Sequence, residues 1–233
     1  MRQLLALAVL VNLTVLAAPA RADESFDQQA KKAVEVVGGP EGLGALFWSQ
    51  LAQCKADDDF TRRQCEGVRE ARRARVAATT FLVTADGALD PEPFNEKAMS
   101  IDVGVRACAA CGGVELAGER RYIVGRGDVK LVGGRVRAAS LHTGTMTFKT
   151  RAEGKEWVAK VAPRLRADFL VRIPGKLESW SEGGAGGYRV DIVGYRVIDP
   201  CKGQVLWSNP PAGNIPAEPD ACPSAPKPPK KKP

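Results

Sequence analysis

The chain is poor in the residues from which most active sites are built. It holds one histidine, His142, in 233 residues. A tetrahedral zinc site draws on four Cys or His ligands, and the sequence has a single Cys-x-x-Cys pair with no second such pair and no His pair. No His follows Cys111, which excludes covalent haem attachment. A Ser-His-Asp or Cys-His site would have to use His142, in the strand end Leu141-His142-Thr143-Gly144, and there is no Gly-x-Ser-x-Gly elbow. A histidine in such a place is expected to face water or pack edge-on. No Lys-Ser/Thr follows the glycine-rich stretch 183–187, so a flexible loop is expected there rather than a phosphate cradle. Aromatics make up only 6% of residues, too few for an extended sugar-stacking surface.

Long apolar runs are equally scarce. The one candidate, Leu4 to Leu16, is broken by Asn12 and Thr14. It falls short of the roughly 20 apolar residues needed to span a bilayer. Arg2 precedes it and Ala20-Arg21-Ala22 follows, so residues 1–22 read as a secretory signal peptide cleaved after Ala22. The expected localisation is periplasmic or secreted, without a transmembrane segment after signal removal.

The formal charge of +7 points less to nucleic acid than it first suggests. Setting aside Arg2 and Arg21 leaves +5, and removing Lys227, Lys230, Lys231 and Lys232 leaves about +1 for residues 23–222. The basic character lies mainly in the tail, where 9 of the 25 residues from Asn209 onward are proline, which precludes a packed element. That disordered Pro/Lys-rich tail offers weak contact with anionic polymer or lipid head groups; a solvated end is the plainer expectation.

Periodicity predicts helices first. Residues 24–37 and 41–54 read as two, separated by Gly38-Gly39-Pro40. Asp57-Asp58-Asp59 offers a cap for a third, over 59–79. That helix carries Phe60, Val68, Ala71, Ala74 and Ala78 along one side, a small-residue stripe that predicts close helix packing. Arg62, Arg63, Arg69, Arg72 and Arg73 occupy the other side, expected to be solvated. From residue 80 the pattern changes to alternation. Strands are expected at 81–85, 101–105, 122–124, 129–132, 136–142, 169–173, 188–197 and 205–207, with turns at Asp86-Gly87 and Gly133-Gly134. The parity shift near Val193-Gly194 predicts a β-bulge. One helix, about 152–162, is inserted, with Trp157, Val158, Val161 and Ala162 on its inner side. The ordering predicts an α+β fold, with N-terminal helices packed on a mainly antiparallel sheet. Residues 23–208 form one domain, helical over 23–79 and β-rich over 80–208, followed by the tail at 209–233.

Six cysteines, an even count, predict disulfides in an exported chain. They allow 15 pairings, of which proximity suggests Cys54–Cys65, Cys108–Cys111 and Cys201–Cys222. The stretch R-A-C-A-A-C-G-G around Cys108 and Cys111 is the best candidate for chemistry. A thioredoxin-like pair sits at a helix N-terminus, where the dipole lowers the thiol pKa. Here Gly112-Gly113 and Val114-Glu115-Leu116 predict turn and strand, and hence a cross-link in a β-turn. Redox activity and metal ligation are the alternatives. Elsewhere Glu178, Glu182 and Asp191 flank the glycine-rich stretch with Trp180 between the first two, and paired acids of this kind serve glycosidases.

Trp157 to Pro174 (W-V-A-K-V-A-P-R-L-R-A-D-F-L-V-R-I-P), Gly194 to Cys201 (G-Y-R-V-I-D-P-C) and the Cys54/Cys65 helical hairpin together resemble a family of uncharacterised exported bacterial proteins. The resemblance implies export and a shared disulfide framework, and carries no activity. Two functions follow as expectations. The first is a non-catalytic envelope or secreted binding module without cofactor or metal, acting on an unknown envelope or extracellular partner. The second is a thiol–disulfide oxidoreductase using Cys108 and Cys111.

Overall fold

The computed structural model describes residues 24–33, 35–37, 39–51, 53–55, 57–85 and 88–212. The expected leader, the Asp86-Gly87 turn and most of the tail, including Cys222 and the four tail lysines, lie outside them. The described chain is α+β, with four α-helices and thirteen strands.

Helix α1 (Phe26–Lys32) starts at a reciprocal cap, Ser25 with Gln28, and stops earlier than expected. The following Glu-Val-Val forms β1 (Glu35–Val37), parallel to residues 81–83 of the next strand in the chain. β-branched residues lose rotamer freedom in a helix and fit a pleated edge, which is why the predicted helix over 24–37 divides. Helix α2 (Gly39–Leu51) begins two residues before its predicted start, because Gly39 and Pro40 occupy its first turn, where a missing N–H costs nothing. Helix α3 (Asp59–Ala78) lies where the sequence placed it, with Asp58 Oδ1 accepting from the Thr61 amide at 2.8 Å.

The strands follow: β2 (Thr80–Ala85), β3 (Leu89–Pro91), β4 (Ser100–Arg106), β5 (Cys108–Leu116), β6 (Glu119–Gly125), β7 (Val129–Val132), β8 (Arg135–Ala138) and β9 (Ser140–Thr147). Helix α4 (Arg151–Lys160) runs into a 3-10 turn at Ala162–Arg164 that holds Pro163. Then come β10 (Arg166–Arg172), β11 (Glu178–Glu182), β12 (Ala185–Asp199) and β13 (Gln204–Asn209). The buried contact of α4 is Gly154 against the Phe94 ring, not Val158, which is exposed.

The main sheet has the order β1-β2-β10-β12-β6-β5. Strand β12 is its axis. Along one edge it pairs antiparallel with β11 over Ala185–Arg189 and with β10 from Asp191 onward. Along the other it pairs parallel with β6 over Gly187–Val190 and antiparallel with β13 over Tyr195–Asp199. The predicted bulge is present: Leu170 faces Gly194 and Val171 faces Ile192, leaving Val193 as the extra residue. The predicted loop over 183–187 is shorter than expected. Gly183 and Gly184 make the turn, whereas Gly186 and Gly187 belong to β12. Gly187 is required there, since a Cβ would overlap the Tyr122 backbone of β6.

The sheet curls until β2 and β5 approach each other, and α2 lies across both. Leu43 and Phe47, one turn apart on α2, are fully buried in the core formed with Phe81, Val83, Phe169 and Ile123. Full burial of each such side chain contributes about 1.5–3 kcal/mol. A smaller sheet, β3-β4-β9, packs on the far end of β12 and β13, where Gly144 gives room for the Trp207 ring. The hairpin β7–β8 turns through Gly133 and Gly134, at φ 57° and 74°, as the sequence predicts.

Candidate functional site

The Cys-x-x-Cys pair lies inside strand β5, not in a turn and not at a helix N-terminus. Its pairing with β6 is irregular. Cys108 faces Val124, Ala110 faces Ile123, and the next partner pair is Val114 with Arg121. Cys111, Gly112 and Gly113 thus share the single opposing residue Tyr122, forming a wide bulge. The disulfide closes that bulge across a Cα separation of 5.5 Å. Gly113 enables it by adopting φ 81°, and a Cβ there would press to 2.7 Å from the Arg120 side chain. A β-turn was the expectation. The chain instead keeps its strand direction, because Ala109, Ala110 and Val114 are held in the core on either side of the bulge.

The two sulfurs have different surroundings. Cys108 is fully buried, in a small second cluster with Ala107, Val124, Val129, Val136 and Ala138, and its Sγ lies 3.7 Å from the Ile123 carbonyl oxygen. Cys111 is half-buried at the edge of that cluster. Both cysteines lie within a strand and neither occupies the first turn of a helix, where the dipole would stabilise an attacking thiolate.

The remaining cysteines serve the frame. Cys54–Cys65 ties the segment after α2 to the second turn of α3, with Cα atoms 5.8 Å apart. Cys201 is disulfide-bonded as well, while its expected partner Cys222 lies outside the described residues.

The three flanking acids are not brought together as an acid pair. Arg126, between β6 and β7, inserts between two of them: its Nε bonds Asp191 and its Nη1 lies 3.2 Å from Glu178. The Asp191 hydrogen bond, then the charges of Asp191 and Glu178, push the guanidinium pKa above its ordinary value. Glu182, in the last position of β11, is exposed. The geometry is that of an exposed ion-pair cluster.

His142 is inside β9, opposite Val105 of β4, rather than at a strand end. Its ring lies 5.9 Å from both Tyr195 and Trp207, and its Nε2 is buried without a hydrogen-bond partner. Burial pushes the Tyr195 pKa up. This is an aromatic contact where the small sheet meets β12 and β13. Among the described residues no group of three or more His, Cys, Asp or Glu is placed to hold a metal ion, and no helix is long and apolar enough to cross a membrane.

Sequence reading missed the most buried charges. Asp27 of α1, Asp168 of β10 and Asp199 of β12 are withdrawn from water. Arg196 reaches Asp27 at 2.8 Å and Asp168 at 3.0 Å, with its guanidinium carbon 5.2 Å from the centre of the Phe26 ring. Arg164 forks onto Asp199 with bonds of 3.1 and 2.9 Å. The sequence conceals these charges, because Asp168 and Arg196 alternate with the core residues Phe169 and Val197 and so read as outward-facing places in their strands.

Beside α3 a half-open groove of about 460 Å³ has Leu46, Val76 and Phe81 on its floor, with Arg72 and Arg75 on its rim. Among the described residues that line it there is no carboxylate, and its floor is continuous with the core. The chain matches no protein-family model, no curated protein and no solved structure.

Proposed function

We infer that this is an exported, disulfide-stapled protein that acts as a non-catalytic binding module in the cell envelope or outside the cell. The observation that carries this reading is the place of the Cys108–Cys111 pair. It closes a bulge in a core strand, with Cys108 buried and neither cysteine at a helix N-terminus. A cross-link of this kind supports a structural role. Further support comes from the oxidised state of Cys54, Cys65 and Cys201, since stable disulfides belong to oxidising compartments. Residues 1–22, with their leader-like pattern, fit the same compartment.

Two measurements on protein purified from an exporting host test the reading. N-terminal sequencing is expected to begin at Asp23, and an intact Met1 terminus on protein collected outside the cytoplasm would overturn the leader. Disulfide mapping combined with glutathione redox titration is expected to give no free thiols and a 108–111 pair that resists mild reduction. A 108–111 pair that exchanges rapidly and oxidises a reduced peptide with turnover would establish the oxidoreductase instead.

A further inference from the structure

Helix α3 (Asp59–Ala78) presents its apolar side to solvent. The side toward the body carries Val76, the one buried residue of the helix, and Cys65, fixed by its disulfide to Cys54. The opposite side carries Phe60, Gln64, Gly67, Ala71, Ala74 and Ala78, at alternating steps of four and three residues, and all of them are exposed. That is the spacing of a heptad seam. Phe60 is 78% exposed and Val68, on the flank of the seam, 67%. A Cβ at Gly67 would meet nothing within 4 Å, so the face is open.

Side-chain size and charge both vary along the seam in a way that fits a second copy of it. The large residue is at the N-terminal end, and the small ones follow two to five turns later. The acidic residues Asp57, Asp58 and Asp59 sit at the N-terminal end, while Arg72 and Arg75 belong to the C-terminal half. Each end of the helix therefore complements the other end, in shape and in sign, when two helices run antiparallel.

We propose that α3 is the contact surface of a homodimer in which two α3 helices pair antiparallel about a two-fold axis. Phe60 of each copy fills the space over Gly67 and Ala71 of the other. The same register sets Arg63 beside the second copy's Glu70, twice by symmetry, and brings the acidic start of one helix to Arg72 and Arg75 of the other. Such a contact is isologous, the commonest kind in soluble oligomers. An anionic membrane surface suits the face less well, because docking Phe60 would press three adjacent aspartates onto like-charged head groups. Two helices of this length bury less than roughly 1,200 Å² in all, so the dimer dissociates on dilution. Neither export nor the absence of catalysis is needed for the pairing.

Sedimentation velocity of the purified protein over a concentration series tests this. The expected result is a monomer–dimer equilibrium that weakens as salt is raised. Phe60→Asp is expected to weaken it about thirtyfold, as for loss of a central aromatic anchor. Arg63→Glu and Glu70→Arg are each expected to weaken it about fivefold, by placing like charges opposite each other, and the two together to restore it. All three positions are exposed, and unchanged circular dichroism and melting temperature confirm that the variants fold. A monomer at every concentration, a dimer indifferent to Phe60→Asp, or a double charge reversal no better than the singles would each overturn the proposal. So would a monomer that sediments with phosphatidylglycerol vesicles through Phe60.

Discussion

Arginines are gathered in two regions of this protein, and the two groups have opposite surroundings. On α3 they lie along an exposed helix with acids within one turn, as in the Arg62–Asp59 pair. Around the α1–β10–β12 junction Arg164, Arg166 and Arg196 meet Asp27, Asp168 and Asp199, carboxylates almost wholly removed from water. Exposed pairs of the first kind contribute little, since water and salt screen them and two long side chains must be ordered. In the second kind each partner is indispensable once the other is buried, because an unpaired buried charge costs several kcal/mol. Composition gives both regions the same description. The difference is made by whether the neighbouring apolar surface closes over the pair.

Four changes would break or sharpen this contrast. The largest effect is expected for Arg196→Met, which removes the guanidinium that bonds both Asp27 and Asp168. Denaturant unfolding should show a loss of about 3–5 kcal/mol, whereas Arg62→Met on α3 should leave the midpoint nearly unchanged; equal effects would remove the distinction. Next is the joint removal of Cys54 and Cys65, which frees α3 from α2. The loop-closure estimate is about 3 kcal/mol, and hydrogen exchange should speed up first along α3 rather than in the sheet.

Replacing both Cys108 and Cys111 by alanine should cost about 2 kcal/mol, the estimate for a four-residue loop. Here the change belongs to the body, so exchange should rise at β5 and β6 while α3 amides stay as they were. The smallest effect concerns Asp58, whose carboxylate accepts the Thr61 amide and is held below the usual aspartate range by that hydrogen bond. A lowered folded pKa means that the cap's contribution is complete above the ordinary aspartate value of about 3.9 and is lost as pH falls through the lowered one. Asp58→Ala should therefore fray the start of α3 at neutral pH, and far-UV circular dichroism of variant and parent should converge in strong acid. A difference that persists there would show that the cap does not act through its charge.

Much of the fold is legible in the sequence because alternation reports a sheet with one face in the core. The strand at 169–173, the Gly133-Gly134 hairpin, the extra residue at Val193 and the capped start at Asp59 can all be read this way. What is lost depends on distant partners. Residues 35–37 continue a helical pattern until β2 offers them an edge. Gly186 and Gly187 read as loop, because nothing local shows that another backbone passes over them. The sidedness of α3 was inverted for a related reason. Periodicity identifies the apolar face of a helix, but not that a disulfide at Cys65 and the burial of Val76 turn that face away from the body. At the candidate site the residue types were legible and the geometry was not. The cysteines were found, yet their bulge needs β6, and the acids were found, yet Arg126 stands between two of them only after folding.

The dependence on β12 has a consequence for the order of events as the chain emerges. β10 and β11 reach their shared partner through a tight hairpin, but β6 must wait for a strand made far downstream, after β7, β8, β9 and α4. Until Gly187 to Val190 exist, β5 and β6 form a ribbon with an open edge, and the core beneath α2 lacks a wall. Closure of the sheet is therefore a late event tied to the completed C-terminal third, and a chain interrupted before Ala185 would hold most of its strands and little of its fold.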